Sequence, residues 1–303
     1  MNAKKKPSVL RQLPLHTMVW IGLLQVILFA YVPMFGITIA FQDFSLSSGF
    51  FNSPWVGLKY FIEFFSDETF YMALKNTLIL SVLRLIFCFS MPILLAIVLN
   101  EVRSPKLRKI SQTVSYFPHF IAYVVVATLW IAILDTRGLV NAALMQMGFI
   151  QQPIEFWTDP GKFRTLAIIV ENWKEIGWGA IIYIAAISGI DPGLYEAAQI
   201  DGASRLQRIR HITLPCISGT IAVMLILNMG NLFRGNLDQS VLLGNAFNKS
   251  TSYILEYYSL DMGFETMRHS FATAVSFFQS VLSLVLVILA NWFSGRVSDK
   301  KMF

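Results

Sequence analysis

The stretch EAAQIDGASRLQRIRHITLP, residues 196–215, lies between two long hydrophobic runs and is itself polar and rich in arginine. A plain helix connection needs about 2–8 residues, so its length asks for another purpose. Just upstream, Asp191 can cap a helix start by accepting from free backbone N–H groups. Pro192 suits the first helical position, where its missing donor costs nothing. The segment LYEAAQI then predicts a short helix whose Ala197 and Ala198 let another surface approach the backbone closely. Gly202 tolerates a positive φ and permits an abrupt turn. ASRLQRIRHITL predicts a second helix, with Leu206, Ile209 and Thr213 on one face and Arg205 and Arg208 on another. Pro215 is expected to end that helix or bend it into the next run. Two capped helices at a glycine corner, with a small-residue face and a polar rim, form an element shaped to be gripped in a groove.

The surroundings are apolar. Of 303 residues, 55% are hydrophobic and 14% charged, against about 25% charged in soluble domains. Lipid is therefore the expected solvent for much of the chain. The net charge of +6 would suggest nucleic acid if it formed a stripe on a soluble surface. Here the basic residues fall between apolar runs and read as orientation signals. Cys88 and Cys216 lie in or beside apolar segments and share no ligand spacing with the four histidines, which argues against a disulfide framework or a metal site.

Six segments, about 16–41, 71–99, 113–134, 165–188, 216–234 and 270–293, reach the roughly 20 residues that cross a bilayer. Lipid offers no partner for free backbone groups, so helices are expected. The first follows a basic N-terminus and is too long for a signal-peptide core, which predicts an uncleaved transmembrane helix. Lys4, Lys5, Lys6 and Arg11, then Arg103, Lys106, Arg108 and Lys109, then Arg205, Arg208 and Arg210, then Arg296, Lys300 and Lys301 mark one side. The other side holds loops 42–70, 135–164 and 235–269, which are longer and more acidic. The positive-inside rule puts the first set, with both termini, in the cytoplasm. WVGLKYFIEFF (55–65) reads as an amphipathic outer segment. EYYSLDMGFETMRH (256–269) either dips between helices, meets an extracellular partner or anchors at the interface. There is no internal repeat.

Glu196-Ala197-Ala198, three residues, Gly202, nine residues and then Ile212-x-Leu214-Pro215 resemble the EAA motif of permease subunits of binding-protein-dependent ABC importers. Asp201 and Ala203 meet its fuller form. The resemblance runs over about residues 70–295, with the first span added in front. NTLILSV (76–82), PILLAIVLNEVRS (92–104), YFPHFIAYVVVA (116–127) and WKEIGWGAIIYIAAISGIDPGLYEAA (173–198) look like the carbohydrate-importing branch, nearest the LplB-like group for oligosaccharides and polysaccharide fragments. One departure is the lack of a proline soon after Leu214-Pro215. The resemblance implies an all-α polytopic membrane protein with six transmembrane helices in the type I ABC importer permease fold. It divides the chain into residues 1–69 (N-terminus, first span, outer loop), a five-helix core at 70–295 and a tail at 296–303. Residues 192–214 would be a coupling helix that docks on a cytoplasmic ATPase. Implied partners are a second, similar permease forming a heterodimer, two ATPase subunits that bind ATP and Mg, and an extracytoplasmic solute-binding protein. The chain itself would bind no cofactor and no nucleic acid.

Polar residues inside the spans are costly and usually face protein or water. Glu171, Asn172, Trp173, Trp178, Tyr183, Asn228 and Asn231 supply the aromatic faces and hydrogen-bonding groups that sugars use, and are the candidate substrate path. The competing reading is that they hold helices together or sit near the outer interface, where charge is cheap. Lys174 can pair with Glu171, with Glu175 or across a subunit interface, and Arg84 reads as one half of a structural pair. Gly177, Gly179 and Ala180 favour close helix packing. DPGKF (159–163) lacks the preceding glycine and the hydroxyl of a phosphate loop. No catalytic residue is expected, so this subunit is not read as an enzyme. A secondary transporter would instead show inverted repeats, a scaffold would have a dispensable 196–215 loop, and a permease for amino acids or peptides is the nearest alternative within the family.

Overall fold

The computed structural model describes residues 9–297, with side chains from Thr17 to Trp292; the basic side chains of both termini lie outside these. Four helical runs are long and apolar enough to span a membrane alone: Thr17–Phe41, Glu68–Glu101, Arg205–Asn231 and His269–Trp292. Two bent pairs bring the number to six: Pro105–Phe120 with Tyr123–Ile133, and Pro160–Ser188 with Pro192–Ile200. Among the described residues the only strand-like pairing is one bridge between Gln42 and Trp55.

The third expected span, 113–134, is not one straight helix. It breaks at Ile121 and Ala122, and its halves are inclined at 103°. Pro118 has no N–H to continue the ladder, the chain tightens into a 3₁₀ turn over Phe117–Phe120, and Ile121 and Ala122 are extended. The fifth span is likewise corrected. Pro215 does not end the upstream helix; Arg205–Asn231 is continuous. The adjustment lies at Ile209–Thr213, a π-turn in which the N–H of Leu214 reaches back to the Ile209 carbonyl. The same device recurs at Ile27–Tyr31 before Pro33 and at Arg84–Cys88 before Pro92. A proline ring presses on the carbonyl four residues back, and a widened turn relieves that clash without breaking the helix.

The 29-residue helix Pro160–Ser188 is the axis of the fold. Asp159 caps it through the N–H of Gly161. At about 1.5 Å per residue it is about 43 Å long, more than a hydrocarbon core requires. It packs against the Glu68–Glu101 helix, the Pro105–Phe120 arm and the Arg205–Asn231 helix. Most buried apolar residues fall in three clusters; one joins Ala96, Ile97, Ala180, Tyr183, Ile187 and Ile217. Large apolar side chains such as Leu78, Val82, Ile86, Leu94, Val98, Ile181, Leu284 and Ile288 remain exposed. A soluble monomer rarely presents apolar surface on this scale, whereas lipid accepts it. Every residue from Thr17 to Phe35 is exposed, and the first helix packs on the last one through its final turns, Phe35–Phe41.

The loops at one end are folded. The amphipathic segment forms the helix Lys59–Phe65, which buries Tyr60 and Phe64 among Phe70, Tyr258 and Phe271. Residues 255–264 form a helix against the last span, burying Leu255 and Tyr258. Asp67 caps the Glu68–Glu101 run through the N–H of Thr69 (2.8 Å) and accepts from the Tyr258 hydroxyl (2.5 Å). Burial alone would push the Asp67 carboxyl up, but these hydrogen bonds outweigh it and hold the group below its ordinary value of 3.8. A carboxylate depressed in the folded state stabilises fully above its unfolded value, and that stabilisation fades as pH falls through the folded value. Tyr258→Phe is therefore expected to lower the thermal midpoint at neutral pH, with the deficit against wild type shrinking between about pH 5 and about pH 3. A deficit that stays constant down that series would show that the Asp67 charge is not involved.

Candidate functional site

The polar element assembles as its caps dictate. The Asp191 carboxylate accepts from Gly193 N–H (2.9 Å), Pro192 opens the helix Pro192–Ile200, and that helix is inclined at 71° to the Pro160–Ser188 axis. At its end the N–H of Ala203 returns to the Ala198 carbonyl (2.9 Å) around Gly202, whose φ is +77°. Ser204 and Gln207 then form a reciprocal capping box that starts the next helix. A Tyr195–Thr213 hydroxyl contact of 2.9 Å braces the corner. Glu196, Ala197, Asp201, Gly202 and Pro215 are exposed, while Ala198, Ala203, Ile212 and Leu214 are half-buried. One sequence expectation fails: Leu206 does not share a face with Thr213. Leu206 is 74% exposed and Thr213 is 1% exposed. With Ile200 (87% exposed), Leu206 gives the tip two apolar side chains that this chain leaves uncovered. A recess of about 430 Å³ opens beside the tip, lined by Asn100, Glu101, Tyr195, Glu196 and Arg208 among others.

A second feature is a cavity of about 350 Å³ between the Glu68–Glu101, Pro160–Ser188 and Arg205–Asn231 helices. Five of the seven candidate path residues line it: Glu171, Trp178, Tyr183, Asn228 and Asn231. Asn172 and Trp173 do not. They turn to an apolar groove on another side of the helix, with Leu83, Phe87 and Met91. There Asn172 donates to Cys88 Sγ and Trp173 meets Trp130 edge-on. Helical geometry explains the division, because Glu171, Glu175 and Trp178 are spaced i, i+4, i+7 on one face and the next two residues turn away from it.

Arg84 Nε donates to Glu171 Oε2 at 2.7 Å, and its Nη2 to Gln239 Oε1 at 2.9 Å. Gln239 Nε2 in turn donates to the Ala167 carbonyl at 2.6 Å. The pair joins two spans and the short helix Leu237–Leu243 at the cavity edge. Lys174, left open between partners by the sequence, goes to Glu175 (3.1 Å) and to the His119 carbonyl (2.7 Å). His119 was not singled out from the sequence, yet its Nδ1 lies 2.6 Å from Glu175 Oε2 and its ring is stacked on Trp178. Glu175, one helical turn after Glu171, was the signal that could have led to it. Among the described residues, no cluster of three or more His, Cys, Asp or Glu side chains is placed to hold a metal ion.

Residues 92–299 match the family described as binding-protein-dependent transport system inner membrane component. The chain belongs to this family. It is thus a multi-pass inner-membrane transport subunit, not an enzyme. The permease is 41% identical over 297 residues to the polygalacturonan/rhamnogalacturonan transport system permease protein YteP of Bacillus subtilis, covering 98% of this chain and 92% of that one. It is 39% identical over 284 residues to the protein LplB of the same organism, covering 93% and 88%. A crystal structure of a bacterial ABC transporter involved in the import of the acidic polysaccharide alginate contains a chain with 40% identity and a TM-score of 0.88, over 96% of this chain and 98% of that one. The permease fold expected from the EAA resemblance is thereby shown.

Removing one partner of a buried ion pair costs about 3–5 kcal/mol, whereas replacing both with apolar groups is often neutral. Arg84→Met is expected to lower the thermal midpoint of the detergent-solubilised permease sharply, and Arg84→Met with Glu171→Leu to recover most of the loss. A double variant as damaged as the sum of the singles would show that the two charges do not act as a pair.

Proposed function

We propose that the permease forms half of the translocation path of an ATP-driven importer for oligosaccharides or polysaccharide fragments. The observation that carries this reading is the capped, exposed element of residues 191–213, which ends the same helix run that lines the cavity. In this reading 192–214 is the coupling helix, and Ile200, Leu206 and the Ala197–Ala198 face dock on a cytoplasmic ATPase subunit. That subunit, present twice, binds the ATP and Mg; this chain binds neither. A second, similar permease supplies the other half of the path as a heterodimer, and an extracytoplasmic binding protein delivers the sugar. Both termini and the coupling element lie in the cytoplasm, residues 70–295 form the core, and the first helix, exposed from Thr17 to Phe35, has lipid or the second permease as its neighbour.

The names of the relatives, a polygalacturonan/rhamnogalacturonan permease and an alginate importer, support a polysaccharide-derived substrate. The cavity supports it independently. Trp178 and Tyr183 offer aromatic rings, and Asn228 and Asn231 offer amides one turn apart. ATP binding draws the ATPases together and moves the coupling elements with them. The path then switches between inward- and outward-facing states, because ATP binds the two states differently.

The test is recovery of partners with the tagged permease from its native membrane. Ile200→Asp alters an exposed side chain, and Gly202→Val puts a branched residue where φ is positive. Each is expected to cut recovery of the ATPase about tenfold or more, as loss of an anchor worth roughly 2 kcal/mol would do, while the second permease stays bound. Undiminished ATPase recovery with both variants would refute the docking assignment.

A further inference from the structure

We infer that His119 is a positioning residue for sugar. It backs one face of the Trp178 ring so that the opposite face stands as a fixed stacking platform in the cavity wall. This rests on the carbohydrate-path reading above and adds to it a residue from a different part of the chain.

The two rings are parallel to within 3°, with centroids 4.3 Å apart. Trp178 nevertheless remains 47% exposed and lines the cavity. His119 is in turn held from several directions. Its Nδ1 is 2.6 Å from Glu175 Oε2, and its carbonyl accepts from Lys174 Nζ at 2.7 Å. The backbone just before it is pressed onto the axis helix at Gly177, where an added Cβ would lie 2.0 Å from the Ser115 carbonyl oxygen. Phe120 closes the other edge of Trp178, at 5.9 Å and 83°. Lys174, Glu175, Gly177 and Trp178 thus spend little more than one turn of helix on gripping one 3₁₀ turn. A ring that merely filled space would need no such frame.

The chemistry of the wall gives the frame its use. The ionisable groups lining the cavity as charges are Arg84, Glu171 and Glu175, and each already has an ionic partner within this chain. Arg84 and Glu171 neutralise each other, Glu175 is matched by Lys174 behind the wall, and recognition is left to uncharged surface. The apolar C–H face of a pyranose fits an aromatic face. An indole already immobilised loses little further freedom when the sugar arrives, which favours binding. The break at residues 121–122 then has a purpose: it turns the chain so that His119 reaches Trp178.

The test uses the intact transporter, purified with its partners and reconstituted in proteoliposomes. The probes are oligosaccharides from galacturonan, rhamnogalacturonan and alginate, presented on the binding protein. Emission of Trp178 is taken as the difference between each protein and the same protein carrying Trp178→Phe. With His119→Ala, the sugar moved per ATP hydrolysed is expected to fall about three- to tenfold, the scale of one aromatic contact. ATPase stimulation by the binding protein should be retained, and Trp178 emission should change. His119→Phe, which keeps a ring, should restore both; His119→Gln, which keeps only a hydrogen bond to Glu175, should not. Unchanged coupling and emission in His119→Ala would overturn the proposal, as would equal rescue by Phe and Gln. If His119→Ala fails to assemble, the comparison of Phe with Gln decides. Normal transport by Trp178→Ala, or no uptake of any probe by wild type, would instead sink the path reading on which the proposal rests.

Discussion

An arginine set among apolar helices must be paired, and the pairing of Arg84 with Glu171 organises much that surrounds it. It fixes the Glu68–Glu101 span against the axis helix, at the π-turn where the span is locally widened. Through Gln239 it also draws the short helix Leu237–Leu243 onto the Ala167 carbonyl. The cavity lies directly beside this junction. A polar space in lipid survives only if its ionic members satisfy one another, and here they do so within one chain.

The axis helix connects the cavity with the exposed polar element. It presents Glu171, Glu175, Trp178 and Tyr183 to the cavity, runs to Ser188, and after a short turn continues into Pro192–Ile200. From Trp178 to the helix end at Ser188 is about 15 Å at helical rise. In the proposed importer, movement of the tip would reach the wall across the 71° bend and along this helix. The return helix carries the same logic upward, since Arg205–Asn231 starts at the capping box and ends with Asn228 and Asn231 at the cavity. Prolines that would have broken these long helices are accommodated by π-turns.

What was legible in the sequence obeys local rules. The Asp191 cap and the turn at Gly202 follow from capping and backbone sterics, and both form. Bilayer thickness made the six apolar runs legible; four form continuous helices, one lies in the axis helix of a bent pair, and 113–134 is broken. The EAA spacing pointed to the family directly. What was not legible depends on tertiary contact. Nothing in YFPHF (116–120) announces that His119 will stack on Trp178, because the two meet only after the chain turns at residues 121–122. Asn172 and Trp173 were grouped with Glu171 by proximity in sequence, and helical rotation separates them. Pro215 was expected to stop a helix or bend it into the next run, and a wider turn let the helix continue. The outcome at Leu206 has a similar origin: the helix to which it belongs is four residues long before the π-turn shifts the register.

In the proposed mechanism the permease moves solute only as part of an ATP-driven assembly. The most direct measurement is oligosaccharide accumulation in proteoliposomes containing the assembly isolated from its native membrane, with loaded binding protein outside and ATP inside. Accumulation is expected to require both and to stop when a non-hydrolysable nucleotide replaces ATP. Accumulation driven by an ion gradient in the absence of ATP would contradict it.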